Sequence, residues 1–318
     1  MDPKTIQKKY SIPNNEGTCG LENAEKNKVT FIKYIDYKKF LKKDQGMFVL
    51  TSKGIYEKIK EIKGNTYIVV DDPHLAFIEY HNALHKGFMP LNTGNENPIT
   101  GKNCNIDKTV RFGKNVKIGS NAKILPNTVI GSDVSIGNNT IINSSVSIYD
   151  NVSIGNNCII DSGVVIGGEG FSTVMDKEKK ATRLINIGGV IIGNNVEVGS
   201  NSAIDRASFS YTKINDNVKI DNLVYISHNV FIGEDTRICG LSCFGGSCKI
   251  GKRVWVGLGC TVKDHVDVGD DCKIQLNSVL VNSIPNGTEV SGFYAIPSKG
   301  WLMHMKDVYK KHISNKNL

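Results

Sequence analysis

Lys117-Ile118-Gly119-Ser120-Asn121-Ala122-Lys123-Ile124-Leu125-Pro126-Asn127-Thr128-Val129-Ile130-Gly131 decides the fold. An isoleucine returns at every sixth position, Ile118, Ile124 and Ile130, and a small or β-branched residue stands four places later, at Ala122 and Thr128. Toward the N-terminus the series continues through Phe112 to Ile106. Toward the C-terminus it runs through Ile136, Ile142, Ile148, Ile154, Ile160 and Ile166. It resumes at Ile192, Val198 and Ile204 and, after four extra residues near Ser210 to Lys213, proceeds from Ile214 to Leu280. An amphipathic helix repeats near 3.6 residues and a half-buried strand near 2, so neither produces this period. A parallel β-helix does: each hexad forms one face of a triangular coil and turns one large and one small residue inward. On this reading the glycine that often follows the large residue permits the corner. The 26 hexads make about nine coils, stacked about 4.8 Å apart.

Two interruptions break the phase. Residues 168–189 carry the charged run Asp176-Lys177-Glu178-Lys179-Lys180, and a second insertion adds four residues after Ile204. Loops thrown from a solenoid either shape a site on one edge or are solvated excursions, and the sequence leaves both open.

Residues 1–100 lack the six-residue period. Val29–Ile32, Met47–Thr51 and Tyr67–Val70 read as strands, and Ile55–Ile62 and His74–His85 as helices, a small α/β domain. The β-helix is expected over 101–285. Residues 286–318 form a C-terminal turn stopped by Ala295-Ile296-Pro297, then a helix from Trp301 to Ile313. The expected class is therefore mainly β: a left-handed parallel β-helix with a small N-terminal α/β domain and a short C-terminal helix.

Composition sets outer bounds. The chain has 318 residues, 40% of them hydrophobic, which excludes a disordered chain. No apolar run approaches the length of a membrane span, and the N-terminus lacks the apolar core of a secretory signal. Eight cysteines without such a signal point to free thiols in a reducing compartment, so a cytoplasmic location is expected. Lys plus Arg exceeds Asp plus Glu by 39 to 31. The excess fits an anionic partner or simple solubility, and nothing in it suggests nucleic acid. The basic C-terminal helix, with Lys299, Lys306, Lys310, Lys311 and Lys316 against Asp307, suits docking of an acidic carrier or a solvated terminus equally.

Of seven histidines only His228 and His265 lie in the ladder. They are 37 residues apart, two coils plus one residue, which places them on one edge. Gly246 lies 18 residues after His228, one full coil, and so stacks on it. A general base beside an amide donor free of side-chain obstruction suits acyl transfer to an amine. No third ladder histidine is in phase for a metal site. Cys158, Cys248, Cys260 and Cys272 occupy small inward positions, so no metal is expected. A zinc-dependent hydratase and a non-enzymatic binding solenoid stand as rivals.

The run Ile204-Asp205-Arg206, then Lys219-Ile220-Asp221-Asn222-Leu223-Val224-Tyr225-Ile226-Ser227-His228-Asn229-Val230, resembles the UDP-3-O-(3-hydroxyacyl)glucosamine N-acyltransferase family of lipid A synthesis. The likeness extends to Phe244-Gly245-Gly246-Ser247, His265, Gly167-Gly168-Glu169-Gly170-Phe171, Ile187–Gly193 and, near the N-terminus, Leu21–Ala24 and Val29–Phe31. It implies a homotrimer that moves a 3-hydroxyacyl group from acyl carrier protein to the amine of a UDP-glucosamine derivative. It likewise implies no permanently bound cofactor, with the acyl thioester of acyl carrier protein or coenzyme A as co-substrate. The resemblance implies His228 as general base, Gly246 as oxyanion donor and His265 as a supporting residue. Asp221 and Asn222 would orient the base or hold the sugar, and Phe31 and Tyr37 would sandwich the nucleobase. Tyr34 stands where the family has an asparagine that helps read the nucleotide, and Ala207 replaces a glycine. The C-terminal extension is short, and Asn282 lies near where a basic residue is expected. These departures leave room for a relative that acylates another UDP-, dTDP- or GDP-amino sugar from an acyl-coenzyme A.

Overall fold

The computed structural model describes residues 2–94, 96–292 and 297–314. The hexads form three parallel sheets of nine, ten and nine strands among the described residues. Ile118, Ile136 and Ile154 stack in the first sheet, Ile124, Ile142 and Ile160 in the second, and Ile130, Ile148 and Ile166 in the third. This is the expected β-helix, with one strand per face and three faces per coil. It starts one hexad before Ile106, at Ile99–Thr100, and closes with Glu289–Val290 paired to Lys273–Ile274. The core is one continuous column in which the large positions (Ile124, Ile142, Ile226) and the small ones (Ala122, Val146, Cys158, Cys248, Cys260, Cys272) are equally buried.

The corner chemistry differs from expectation. The left-handed backbone position falls three residues after most of the large ones, as at Asn115, Asn121, Asn127, Asp133 and Asn139, with φ between 56° and 61°. Asparagine and aspartate tolerate this region better than other side chains. The asparagines also bond from coil to coil: Asn121 Nδ2 donates to Asn139 Oδ1, and Asn139 Nδ2 to Asn157 Oδ1, both at 3.0 Å. The glycine after the large residue serves close approach instead. A Cβ on Gly119 would stand 2.6 Å from the backbone nitrogen of Asn138, and one on Gly137 2.5 Å from the carbonyl carbon of Gly155.

The N-terminal domain is a three-stranded parallel sheet, β1 (Val29–Ile32), β2 (Phe48–Thr51) and β3 (Thr66–Val69), in that spatial order. Around it lie α1 (Pro3–Tyr10), α2 (Lys53–Ile59) and α3 (Pro73–Leu84). Asp72 caps α3 by accepting from the backbone N–H groups of His74 and Leu75 at 3.0 Å. Helix α1 was not anticipated: it is short and polar, and only Ile6 of its eight residues is buried.

Both insertions dock this domain on the β-helix. The first folds as an antiparallel hairpin, Thr173–Met175 against Ala181–Arg183. Its Val174 and Leu184 join a buried cluster with Val29, Leu50 and Phe77. From the second insertion Phe209 meets Phe77 edge-on, ring centroids 5.6 Å apart. The C-terminal helix α4 (Ser298–Ser314) begins three residues earlier than expected and is exposed from Trp301 to Asp307. Ala295, Ile296 and Lys316 lie outside the described residues. Among the described residues no helix is long and apolar enough to cross a membrane.

Candidate active site

Tyr225–Ile226 is a ladder strand, and Ser227, His228 and Asn229 form the corner that follows it. Ile226 pairs in register with Phe244, so Gly246 sits one coil beyond His228 at the same corner. The two are in contact. A Cβ on Gly246 would lie 2.6 Å from His228 Cε1 and 2.7 Å from Nε2. The N–H groups of Gly245 and Ser247 donate to the carbonyls of Val262 and His228, at 2.8 and 2.9 Å. The N–H of Gly246 has no acceptor among the described residues.

The insertion closes over the histidine from the other side. A Cβ on Gly170 would meet His228 Cβ at 2.8 Å and Cδ2 at 3.0 Å, so the imidazole is held between two glycines. The hydrogen bonds fix its tautomer. Asn229 Oδ1 accepts the backbone N–H of Ser208 at 3.1 Å, which identifies that atom as oxygen, and it lies 3.1 Å from His228 Nδ1. Nδ1 must therefore carry the proton, leaving the Nε2 lone pair as the base. Ser172 Oγ stands 3.1 Å from Nε2 and donates to it. Burial pushes the imidazole pKa below its ordinary value, and His265 adds to this, while Asn229 and Asp264 oppose it. A neutral base results.

His265 is exposed, and its backbone N–H donates to the Gly246 carbonyl at 3.0 Å. It occupies the left-handed corner position, φ 59°, held by Asn229 and Ser247 in the two preceding coils. Beneath the histidine, Tyr225 Oη donates to Asp205 Oδ2 at 2.7 Å. Burial drives the Asp205 carboxyl up to about 6, with nearby Glu169 adding and Tyr225 and Arg183 opposing. The phenol of Tyr225 rises to about 12, chiefly through burial. Arg206, next in sequence, is fully buried: it bonds the carbonyls of Gly167 and Asp150 and lies over Phe88, which pins the corner where the insertion departs.

The hairpin is latched at its base. Arg183 Nη2 donates to the carbonyls of Gly170 (2.9 Å) and Glu169 (3.0 Å), and Asn186 Nδ2 to that of Gly170 (3.0 Å). From α3, Asn82 exchanges hydrogen bonds with Arg183 and Ile185, and His81 Nε2–H donates to the Ile185 carbonyl at 2.8 Å. His81 Nδ1 then accepts from the Thr18 hydroxyl, 2.6 Å away. Burial lowers the His81 pKa to about 4.

Not every anticipated residue reaches this corner. Asp221 and Asn222 follow strand Lys219–Ile220, six residues and therefore one whole face before His228. Asp221 accepts from the N–H groups of Asn222 (2.8 Å) and Gly240 (3.0 Å), and both residues border a shallow depression with Lys219, Arg237 and Trp255. They do not orient His228 of their own chain; Asn229 does. In the N-terminal domain the ring of Phe31 stacks on His74 at 4.8 Å and touches Phe77, whereas Tyr37 neighbours Tyr34 and Phe40 at 6.2 Å. Tyr34 is 55% exposed, which leaves its ring open to a ligand. Burial pushes the Tyr37 phenol up, with Glu22, Tyr34, Asp264 and Asp36 adding. Ser172, Gly170 and Asn229 were not among the anticipated site residues; only the serine–histidine and asparagine–histidine geometry reveals them.

Family models match the chain at residues 97–132 and 133–168 (bacterial transferase hexapeptide, six repeats) and at 248–281 (hexapeptide repeat of succinyl-transferase). A Coxiella burnetii protein named UDP-3-O-acylglucosamine N-acyltransferase is 31% identical over 281 residues, 85% of this chain and 81% of the relative. An Arabidopsis thaliana protein, named probable UDP-3-O-acylglucosamine N-acyltransferase 2, mitochondrial, is 37% identical over 153 residues, 48% of this chain. The match spans about half (49%) of that relative's length. The solved UDP-N-acetylglucosamine acyltransferase from Campylobacter jejuni superposes with a TM-score of 0.50 at 22% identity, over 56% of this chain and 68% of that one, a likeness of fold. With the hexad ladder, the His228–Gly246 corner and a relative matched along most of both chains, the protein belongs to the UDP-3-O-acylglucosamine N-acyltransferase family.

Proposed function

We propose that the protein transfers an acyl group, 3-hydroxyacyl in the family's manner, from a phosphopantetheine thioester to the amine of a UDP-linked amino sugar in lipid A synthesis. The observation that carries this reading is the contact of His228 with Gly246: a neutral imidazole whose Nε2 lone pair is the base, against a glycine whose N–H is unengaged. Nε2 takes the proton from the amine as its nitrogen attacks the thioester carbonyl. The Gly246 N–H receives the developing oxyanion, and the thiolate leaves. His265, one coil further on, faces the same edge as a supporting group. No step requires a permanently bound cofactor, and carrier protein and coenzyme A both present the same thioester arm.

The nucleotide is assigned to the exposed ring of Tyr34 with the half-buried Tyr37 and Phe31, since a pyrimidine stacks well on such rings. A cytoplasmic homotrimer is the proposed working form. Supporting it, Leu223, Leu241, Leu258 and Leu276 are between 47% and 58% exposed along one edge of the β-helix. Leu223 and Leu241 moreover adopt φ of 57° and 60°, a conformation that costs an ordinary side chain about 1–2 kcal/mol. In such an assembly Asp221 and Asn222 act on the sugar from a neighbouring subunit. The test is amide formation from UDP-amino sugars and acyl thioesters by the wild-type chain and by His228→Ala. Near-wild-type turnover in the variant overturns the mechanism.

A further inference from the structure

We propose that Ser172 is a second acyl acceptor, which makes the protein an acyl-thioester hydrolase whenever the amino sugar is absent. The inference rests on the acyl-transfer reading above, because it uses the same donor. Ser172 Oγ stands 3.1 Å from His228 Nε2, at hydrogen-bond distance from the nitrogen that must take the proton from an acceptor amine. The hydroxyl therefore occupies the acceptor's place. His228 is oriented by Asn229, whose Oδ1 is fixed by the Ser208 N–H, so nucleophile, base and orienting amide form an unbroken Ser172–His228–Asn229 chain. A nucleophile within reach of a base that a third group orients is the signature of covalent acyl transfer. Gly246, whose N–H is unengaged, lies against the same ring. Ser172 is partly exposed, and Phe171 beside it is 74% exposed, an apolar surface next to the hydroxyl for an acyl chain. Latching of the segment through Arg183, Asn186, His81 and Asn82 holds the hydroxyl in this position.

The reaction is complete without any further reagent. Ser172 Oγ attacks the thioester carbonyl carbon while its proton passes to Nε2. The carbon–sulfur bond breaks, and the proton moves on to the departing thiolate. The products are a serine ester, a free thiol and neutral His228. Water, deprotonated by the same Nε2, then cleaves the ester to the free acid and restores the hydroxyl.

The full-length protein is incubated with acyl-coenzyme A thioesters and 3-hydroxyacyl carrier protein, without amino sugar, and followed by intact-protein mass, peptide mapping and thiol release. The expected result is a single acyl adduct on Ser172, with thiol release at least ten-fold slower in Ser172→Ala. No adduct on the wild-type chain, together with equal thiol release in the variant, overturns the proposal. Amide formation by the wild-type protein is measured in parallel. Amide without an adduct or serine-dependent thiol release refutes the Ser172 acceptor alone, whereas an adduct without amide supports it and refutes the amine-acceptor reading.

Discussion

His228 and Gly246 lie one coil apart and touch so closely that no methyl group fits between them: a Cβ on the glycine would fall 2.6 Å from the ring. Gly246→Ala must therefore displace the imidazole or tilt the corner. The glycine backbone does not need the left-handed region, so the fold tolerates alanine. Transfer is expected to fall by about 10²-fold or more, the usual cost of a disturbed oxyanion donor, with little change in thermal midpoint. Kinetics paired with a melting curve check this, and a comparable loss in both would deny the contact a catalytic role.

Neutral His228 is the active form, and its pKa lies below the ordinary 6.5. Protonation removes the base as pH falls, so the acid limb of kcat/KM should have its midpoint below 6.5. Asn229→Asp keeps a residue suited to the left-handed corner and an acceptor for Nδ1, but adds a negative charge that stabilises the imidazolium. The acid limb should move to higher pH. An unmoved limb would mean that another group titrates. The neighbouring side chains of His265 and Asp264 are unchanged in this variant.

His265 holds a corner position that asparagine occupies in many other coils. Relief of the unfavourable φ predicts that His265→Asn stabilises the protein slightly, by a few tenths to about 1 kcal/mol. Activity should fall about ten-fold. Stability and activity moving in opposite directions would mark the histidine as retained for chemistry, and unchanged turnover would remove it from the site.

The His81 latch should make the protein acid-sensitive. In the unfolded chain a histidine takes up its proton near 6.5, whereas folded His81 resists until about 4. The unfolded state thus binds more protons in this window, and stability falls as pH drops through it, by about 3 kcal/mol in all. Above 6.5 the effect vanishes. Denaturant titrations at pH 7 and 4.5 should show the loss, and His81→Gln should flatten it.

The exposed leucine edge gives a test of assembly. Leu241→Asp should convert a trimer to monomers in light scattering while leaving the β-sheet circular dichroism intact. A wild-type monomer at assay concentration would refute the proposed homotrimer.

Much of the architecture was legible because six-residue periodicity survives in any single coil, and Ile118, Ile124 and Ile130 suffice to state it. The stacking of Gly246 on His228 followed from the same arithmetic. That arithmetic also separates Asn222 from His228 by one face, a consequence that motif likeness obscured. The chemical division between corner asparagines and close-packed glycines was harder to see, because both residues mark turns and only the backbone angle tells them apart. Helix α1 carried the signals of Asp2 as cap and Pro3 in its first turn, yet it is only eight residues long and buries Ile6 alone. Ser172 and Gly170 were beyond reach in principle. They belong to an aperiodic insertion, and what brings them to His228 is the docking of Val174 and Leu184 on a domain more than a hundred residues earlier.

The uniform coil also makes the protein a ruler. From the His228 corner to Leu280 the ladder has no insertion, so every 18 residues advance it by one rung of about 4.8 Å. The separation of the acyl-transfer edge from the end of the regular ladder is thereby quantised. Removing or duplicating one coil would change it by a single fixed step while each remaining rung keeps its packing partners. Edge and ladder end stand at a distance counted in whole turns.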